Sequence, residues 1–121
     1  MKLAILAALG LTAASVAAFG SHAATGGTLR GTVGPGYSIS LTQNGKRVRT
    51  LPAGTYRLVV SDRASIHNFV IERSHGGDFE RAVTSVPFTG TKTITLKLAK
   101  GKWEIYCAPH ESTMHQDFTV T

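Results

Sequence analysis

Apolar and polar residues alternate in short runs along most of this chain, and the runs are separated by turn-forming residues. Tyr37, Ile39 and Leu41 alternate with Ser38, Ser40 and Thr42, the period-two pattern of a half-buried strand. Asn44-Gly45 follows as a hairpin turn signal. Pro52-Ala53-Gly54 predicts a second turn, after which Tyr56, Leu58 and Val60 form the next apolar face. His67, Phe69 and Ile71 share one side of a further strand. Ile66 and Val70 lie on its other side, so that strand is predicted to be covered on both faces. Residues 72–86 contain Gly76-Gly77 and little periodicity, which predicts a loop with a short helical turn. Ile94, Leu96 and Leu98 then alternate with Thr95 and Lys97 before a tight turn at Ala99-Lys100-Gly101. Trp103, Ile105 and Cys107 fall on one face opposite Glu104 and Tyr106, and Phe118 and Val120 mark a closing strand. About six to eight short strands at this spacing predict an all-β, two-sheet antiparallel sandwich or small barrel. The chain shows no internal repeat, low-complexity tract or interdomain linker.

The N-terminus breaks this pattern. Lys2 precedes an apolar, Ala- and Leu-rich stretch from Leu3 to Phe19, closed by Ser21-His22-Ala23. A positive start, a short apolar run and a small-x-small site describe a secretory signal peptide rather than a membrane span. The expectation is a cleaved signal over residues 1–23 and a single domain over 24–121, placed outside the cytoplasm in a periplasm or secreted. No integral membrane segment is expected after cleavage.

That compartment changes the meaning of Cys107, the only cysteine of the chain. A small secreted domain often adds disulfides or a metal to its core. One cysteine makes no internal disulfide, and an unpaired thiol outside the cytoplasm is open to oxidation unless something holds it. Cys107 is followed by His110 and Met114 within eight residues. Thiolate, imidazole and thioether form a soft donor set that suits copper better than magnesium, calcium or manganese. His67 would complete a trigonal His₂Cys arrangement with a weak axial Met. The alternation aims Cys107 into the core at the end of a strand, with His110 and Met114 on the loop after it. His67 sits on a different strand and must be brought in by the fold.

Charge adds less. The formal net charge is +6, or +5 once Lys2 leaves with the signal. Lys46, Arg47 and Arg49 cluster near a turn, and Lys92, Lys97, Lys100 and Lys102 decorate one hairpin. The aromatic residues do not interleave with these positions as a stacking platform for bases requires, so no nucleic acid is expected. A basic surface of this kind steers acidic partners at low salt.

Residues 28 to 121 resemble a small blue copper protein of the plastocyanin/azurin (cupredoxin) family. The resemblance rests on Ala53-Gly54-Thr55-Tyr56 before a Val-rich strand, His67-Asn68-Phe69, the turn Lys100-Gly101-Lys102-Trp103, and Tyr106-Cys107-Ala108-Pro109-His110 with Met114 and Phe118-Thr119-Val120. It implies a two-sheet Greek-key β-sandwich holding one type 1 copper per chain, with His67, Cys107 and His110 as equatorial ligands and Met114 as the axial one. It also implies a monomeric one-electron carrier cycling Cu(II) and Cu(I) between redox partner proteins with acidic docking surfaces, and not an enzyme. Extracytoplasmic copper storage or delivery by the same ligands is the alternative.

By the same analogy Asn68 ties the His67 segment to the Cys107 loop. Pro109 has no N–H to donate to the sulfur. Two positions depart from the family pattern. Ala108 stands where relatives often carry a hydroxyl, which leaves Asn68 a backbone partner. His115 follows Met114 where a glycine is common, and its imidazole is itself a competent axial ligand. Zinc is a competitor for the same four residues. A Cys–His nucleophilic enzyme needs an oxyanion hole and a cleft that so small a domain has little room for. A metal-free binding sandwich predicts no response to copper.

Overall fold

A computed structural model describes residues 24–121; the expected signal peptide lies outside the described residues. Ten strands run in chain order: β1 (Thr28–Val33), β2 (Ile39–Gln43), β3 (Lys46–Arg47), β4 (Thr50–Leu51), β5 (Gly54–Asp62), β6 (Val70–His75), β7 (Glu80–Ala82), β8 (Gly90–Leu98), β9 (Gly101–Tyr106) and β10 (His115–Val120). They form two five-stranded sheets, ordered β3-β2-β1-β5-β8 and β4-β10-β9-β6-β7. The predicted two-sheet sandwich is therefore present, in a mixed rather than a purely antiparallel form. β1 pairs with β5, and β10 with β4, in parallel. Parallel neighbours need a crossover and cannot be joined by a tight hairpin, so the chain must change sheets between them.

One such change follows the Asn44-Gly45 turn. Both residues take positive φ, 51° and 77°, which a two-residue hairpin twisted like its strands requires. β3 leaves that hairpin in the first sheet and β4 enters the second, with Val48 and Leu51 buried along the way. The core between the sheets is filled by the alternating residues of the long strands: Tyr56, Leu58 and Val60 of β5, Leu96 and Leu98 of β8, Trp103 and Ile105 of β9, and Phe118 and Val120 of β10. Each large apolar side chain so buried contributes about 1.5–3 kcal/mol.

Two details position the chemistry. Gly31 faces inward on β1, where an added Cβ would lie 2.6 Å from the Phe69 ring and 3.2 Å from Val60. The glycine leaves the space that seats Phe69, two residues after His67. Gln116 is the inward-facing polar residue of β10. Its amide accepts from Leu41 N–H at 3.0 Å and donates to the carbonyls of Leu41 and Val48 at 3.1 and 2.9 Å. It bridges the two sheets with its oxygen and nitrogen both bonded.

Three segments differ from the sequence expectation. Residues 72–86 hold no helical turn: β6 runs on to His75, and β7 pairs back on it through Val70↔Ala82 and Glu72↔Glu80. The pairing occurs on an exposed edge of charged residues, which leaves no apolar period to read. Ile66 lies in a turn before β6 and is 52% exposed, so only Val70 covers the outer side there. Tyr37 precedes β2 and is 64% exposed rather than inward, because the strand begins only at Ile39.

Candidate metal centre

The ends of three strands meet at one end of the sandwich. β6 pairs with β9 so that Val70 lies opposite Tyr106, and β9 pairs with β10 so that Tyr106 lies opposite His115. The register places the extended segment 67–69 beside the segment that starts at Cys107. Asn68 joins them: its side-chain oxygen accepts from Ala108 N–H at 2.8 Å, the backbone partner expected in the absence of a hydroxyl at 108. Phe69 is fastened on the other side, its N–H donating to Thr84 Oγ1 at 2.9 Å and its carbonyl accepting from Val83 N–H at 2.8 Å. His67 thus sits on a held segment between β5 and β6, not on a strand as expected.

The loop from Cys107 to Met114 is closed by its own backbone. Cys107 N–H donates to Met114 O at 3.0 Å, and His110 N–H to Cys107 O at 3.0 Å. Met114 N–H in turn donates to His110 O at 2.8 Å. A 3₁₀ turn spans Ala108–His110, with Pro109 in its first positions, where a missing N–H costs nothing.

These constraints bring together His67, Cys107 and His110. The Cys107 sulfur lies 3.6 Å from Nδ1 of His67 and 3.6 Å from Nδ1 of His110, and the two nitrogens are 3.1 Å apart. A triangle with those edges has a centre about 2.0 Å from each corner, the length of a metal–imidazole bond and slightly less than the ~2.3 Å of a metal–thiolate bond. His67 and Cys107 are fully buried and His110 is half-buried. Three electron-pair donors converging inside an apolar core repel one another unless a proton or a cation lies between them. Nε2 of His67 is also buried, with no hydrogen-bond partner among the described residues. An orphaned buried nitrogen costs about 1–3 kcal/mol, so this corner is not assembled for stability. The donor set fits a small, thiophilic ion.

Met114 is 1% exposed and belongs to the core beside Cys107. His115 points the other way, exposed on β10, with Nδ1–H donating to Glu111 O at 2.8 Å. Met114, just before β10, is buried, while within the strand Gln116 points inward and His115 outward.

Tyr37 enters the site unannounced. Its ring is 5.1 Å from that of His67 and 5.0 Å from that of His110, at 69° and 85°, while the two imidazoles are 4.9 Å apart at 82°. The sequence reading placed Tyr37 on a strand, and its place just after Gly34-Pro35-Gly36 was the one signal that it stands in a bend instead.

The outer face of the second sheet is acidic. Glu72, Glu104 and Glu111 bring carboxylate oxygens within 4.8 Å of one another. Burial, then the neighbouring charges of Glu111 and Asp117 and a hydrogen bond to Glu72, push the Glu104 carboxyl up to about 7. Tyr106 donates to Glu80 Oε1 at 2.6 Å, and burial followed by that carboxylate raises its phenol.

No protein-family model matches the chain, and no curated protein matches it. Solved structures do. Reduced rusticyanin superimposes at a TM-score of 0.55 and 15% identity, covering 79% of this chain and 80% of that one. A structure described as the copper protein rusticyanin gives 0.55 and 15%, with 79% and 78% covered. Rusticyanin from Thiobacillus ferrooxidans gives 0.51 and 18%, again over 79% and 78%. The fold is that of the cupredoxins. The cupredoxin likeness read from the sequence therefore holds for the architecture, and the chemistry rests on the residues at the loop end.

Proposed function

We propose that this chain is a secreted type 1 copper protein that carries single electrons between partners outside the cytoplasm. The observation that carries the reading is the convergence of His67 Nδ1, His110 Nδ1 and Cys107 Sγ at 3.1–3.6 Å beside a buried Met114. The four residues would hold one copper ion, with His67, Cys107 and His110 around it and Met114 as the weak fourth donor. When bound, copper supplies the Cu(II)/Cu(I) couple.

The residues of the chain do the rest. Cys107 and Met114 offer sulfur, which favours Cu(I), and the histidines offer nitrogen, which suits Cu(II). A set held by Asn68, Thr84 and the closed loop changes little between the two states, which keeps electron transfer fast. His110, the half-buried donor, is where an electron leaves. Ile66, next to His67, and Tyr37, against the His67 and His110 rings, stand exposed at this end, an apolar rim for a partner whose acidic groups are drawn by the net positive charge.

Burial of the donors favours a carrier over a delivery protein. Handing copper to an acceptor requires the acceptor's ligands to reach the ion as the old ones leave, and Cys107, His67 and Met114 are all closed to solvent. The chain works as a monomer and not as an enzyme. Three surface depressions among the described residues are lined by residues 43, 44 and 46–51, by 72, 73 and 78–80, and by 25, 26, 43, 52–54 and 56, and none of the three includes Cys107. Among the described residues no helix is long and apolar enough to cross a membrane.

Adding Cu(II) to the purified protein tests the reading. An intense visible thiolate-to-copper band should appear and be lost in Cys107→Ser. A colourless protein, or a band that survives the substitution, would sink the proposal. Reversible voltammetry separates the carrier from delivery, which predicts ready transfer of Cu(I) to an acceptor.

A further inference from the structure

The rings of Tyr37, His67 and His110 form a nearly equilateral cluster, with centroids 5.1, 5.0 and 4.9 Å apart and every pair edge-to-face. Edge-to-face pairs at such distances attract through the ring quadrupoles. Two of the three rings carry the donor nitrogens and the third does not. The three also come from different places: Tyr37 from the β1–β2 loop of the first sheet, His67 from the β5–β6 connection, and His110 from the β9–β10 loop of the second sheet. His67 is packed on all sides and held through its neighbours. His110 is half-buried on a surface loop. Its backbone is bonded within the loop, but among the described residues its Nδ1 meets only His67 Nδ1 and the sulfur. The contact that Tyr37 makes with this ring comes from outside the loop that carries it. At 64% exposed, Tyr37 has little burial of its own to explain its placement.

We propose that Tyr37 is a positioning residue that holds the His110 imidazole at its donor distance and keeps outside ligands from the ion, an inference that rests on the copper reading above. The aromatic ring does this and the hydroxyl does not, since the contacts are ring to ring. Tyr37 also ties the first sheet to a site otherwise built by the second sheet and the connection leading into it. The pocket is therefore ordered before an ion enters it, which spares the ordering cost at the moment of binding.

Tyr37→Ala and Tyr37→Phe test this, because an exposed loop side chain can be removed without opening the core. In the metal-free protein, ¹³C relaxation of the His110 ring should show it rigid in wild type and in Tyr37→Phe, and mobile in Tyr37→Ala. In the Cu(II) protein, azide titrated against the visible band should bind about tenfold more tightly to Tyr37→Ala than to wild type, the factor expected when one or two ring contacts are lost. Tyr37→Phe should match wild type. An alanine variant that matches wild type in both measurements overturns the inference. So does a phenylalanine variant that behaves like alanine, because the hydroxyl would then be the acting group. The relaxation measurement needs no metal, so it decides the role of Tyr37 even if the wild-type protein forms no copper–thiolate band.

Discussion

Gln116 and His67 are both polar, both buried and both at the join between the sheets, yet the fold treats them in opposite ways. The Gln116 amide is closed: its oxygen has the Leu41 N–H and its nitrogen has two carbonyls, all within 3.1 Å. His67 is open. Its Nε2 has no partner among the described residues, and its Nδ1 faces another Nδ1 and a sulfur. A closed polar group strengthens the core, since every donor it buries is answered. An open one weakens it, and at His67 it is the Nδ1 side, facing the other two donors, that a cation would answer. The contrast shows which buried polar residues of a sandwich are structural and which are addressed to a ligand.

Breaking the closed group should have the largest effect. Gln116→Ala strands the Leu41 N–H and the Val48 carbonyl, while the Leu41 carbonyl keeps the Val48 N–H, and should cost about 2–4 kcal/mol in denaturant unfolding, with the position of the copper band unchanged. Next comes the ion itself. Cu(II) at a hundred times its dissociation constant should add about 2.7 kcal/mol to the wild-type protein, seen as a raised melting temperature, and most of that gain should vanish in Cys107→Ser.

His67→Leu should reverse sign with loading. In the metal-free protein it removes an unanswered nitrogen and should be neutral or stabilising by about 1 kcal/mol, while the copper-dependent gain disappears. A large loss of metal-free stability would show that His67 belongs with Gln116 after all.

The smallest effect concerns Glu104, whose carboxyl stands between the two cases. Its folded-state pKa of about 7 lies above the ordinary 4.5, so the folded protein holds this proton more tightly than the unfolded chain. Its contribution is fully favourable below about 4.5 and is lost as pH rises through about 7. Glu104→Gln should therefore raise the melting temperature more at pH 8 than at pH 5. An equal rise at both would remove burial and the Glu111, Asp117 and Glu72 carboxylates as the cause.

Much of this was readable before the coordinates. Period two placed Leu41, Leu58, Ile105 and Phe118 inward because each lies on a strand with one buried face. The convergence of Cys107 and His110 was legible because they share one short loop. Pairing is another matter. The parallel contacts of β1 with β5 and β10 with β4 leave no local trace, since register with a distant strand does not alter a strand's own alternation. Tyr37 was misread for a related reason: it keeps the parity of Ile39 and Leu41, and parity means nothing before the strand begins. Gln116 shares its parity with Phe118 and Val120, and that agreement was the available sign that it points inward. The β6–β7 hairpin was hidden because an exposed edge strand has no need of apolar residues.

The backbone bond from Cys107 to Met114 has a consequence for how such proteins change. It pins the two ends of the segment together regardless of what lies between, so residues inserted or exchanged inside it need not disturb the strands on either side. The segment is in effect an interchangeable cartridge. Its length and sequence can be varied to retune the centre while the packed sandwich beneath it goes on folding as before.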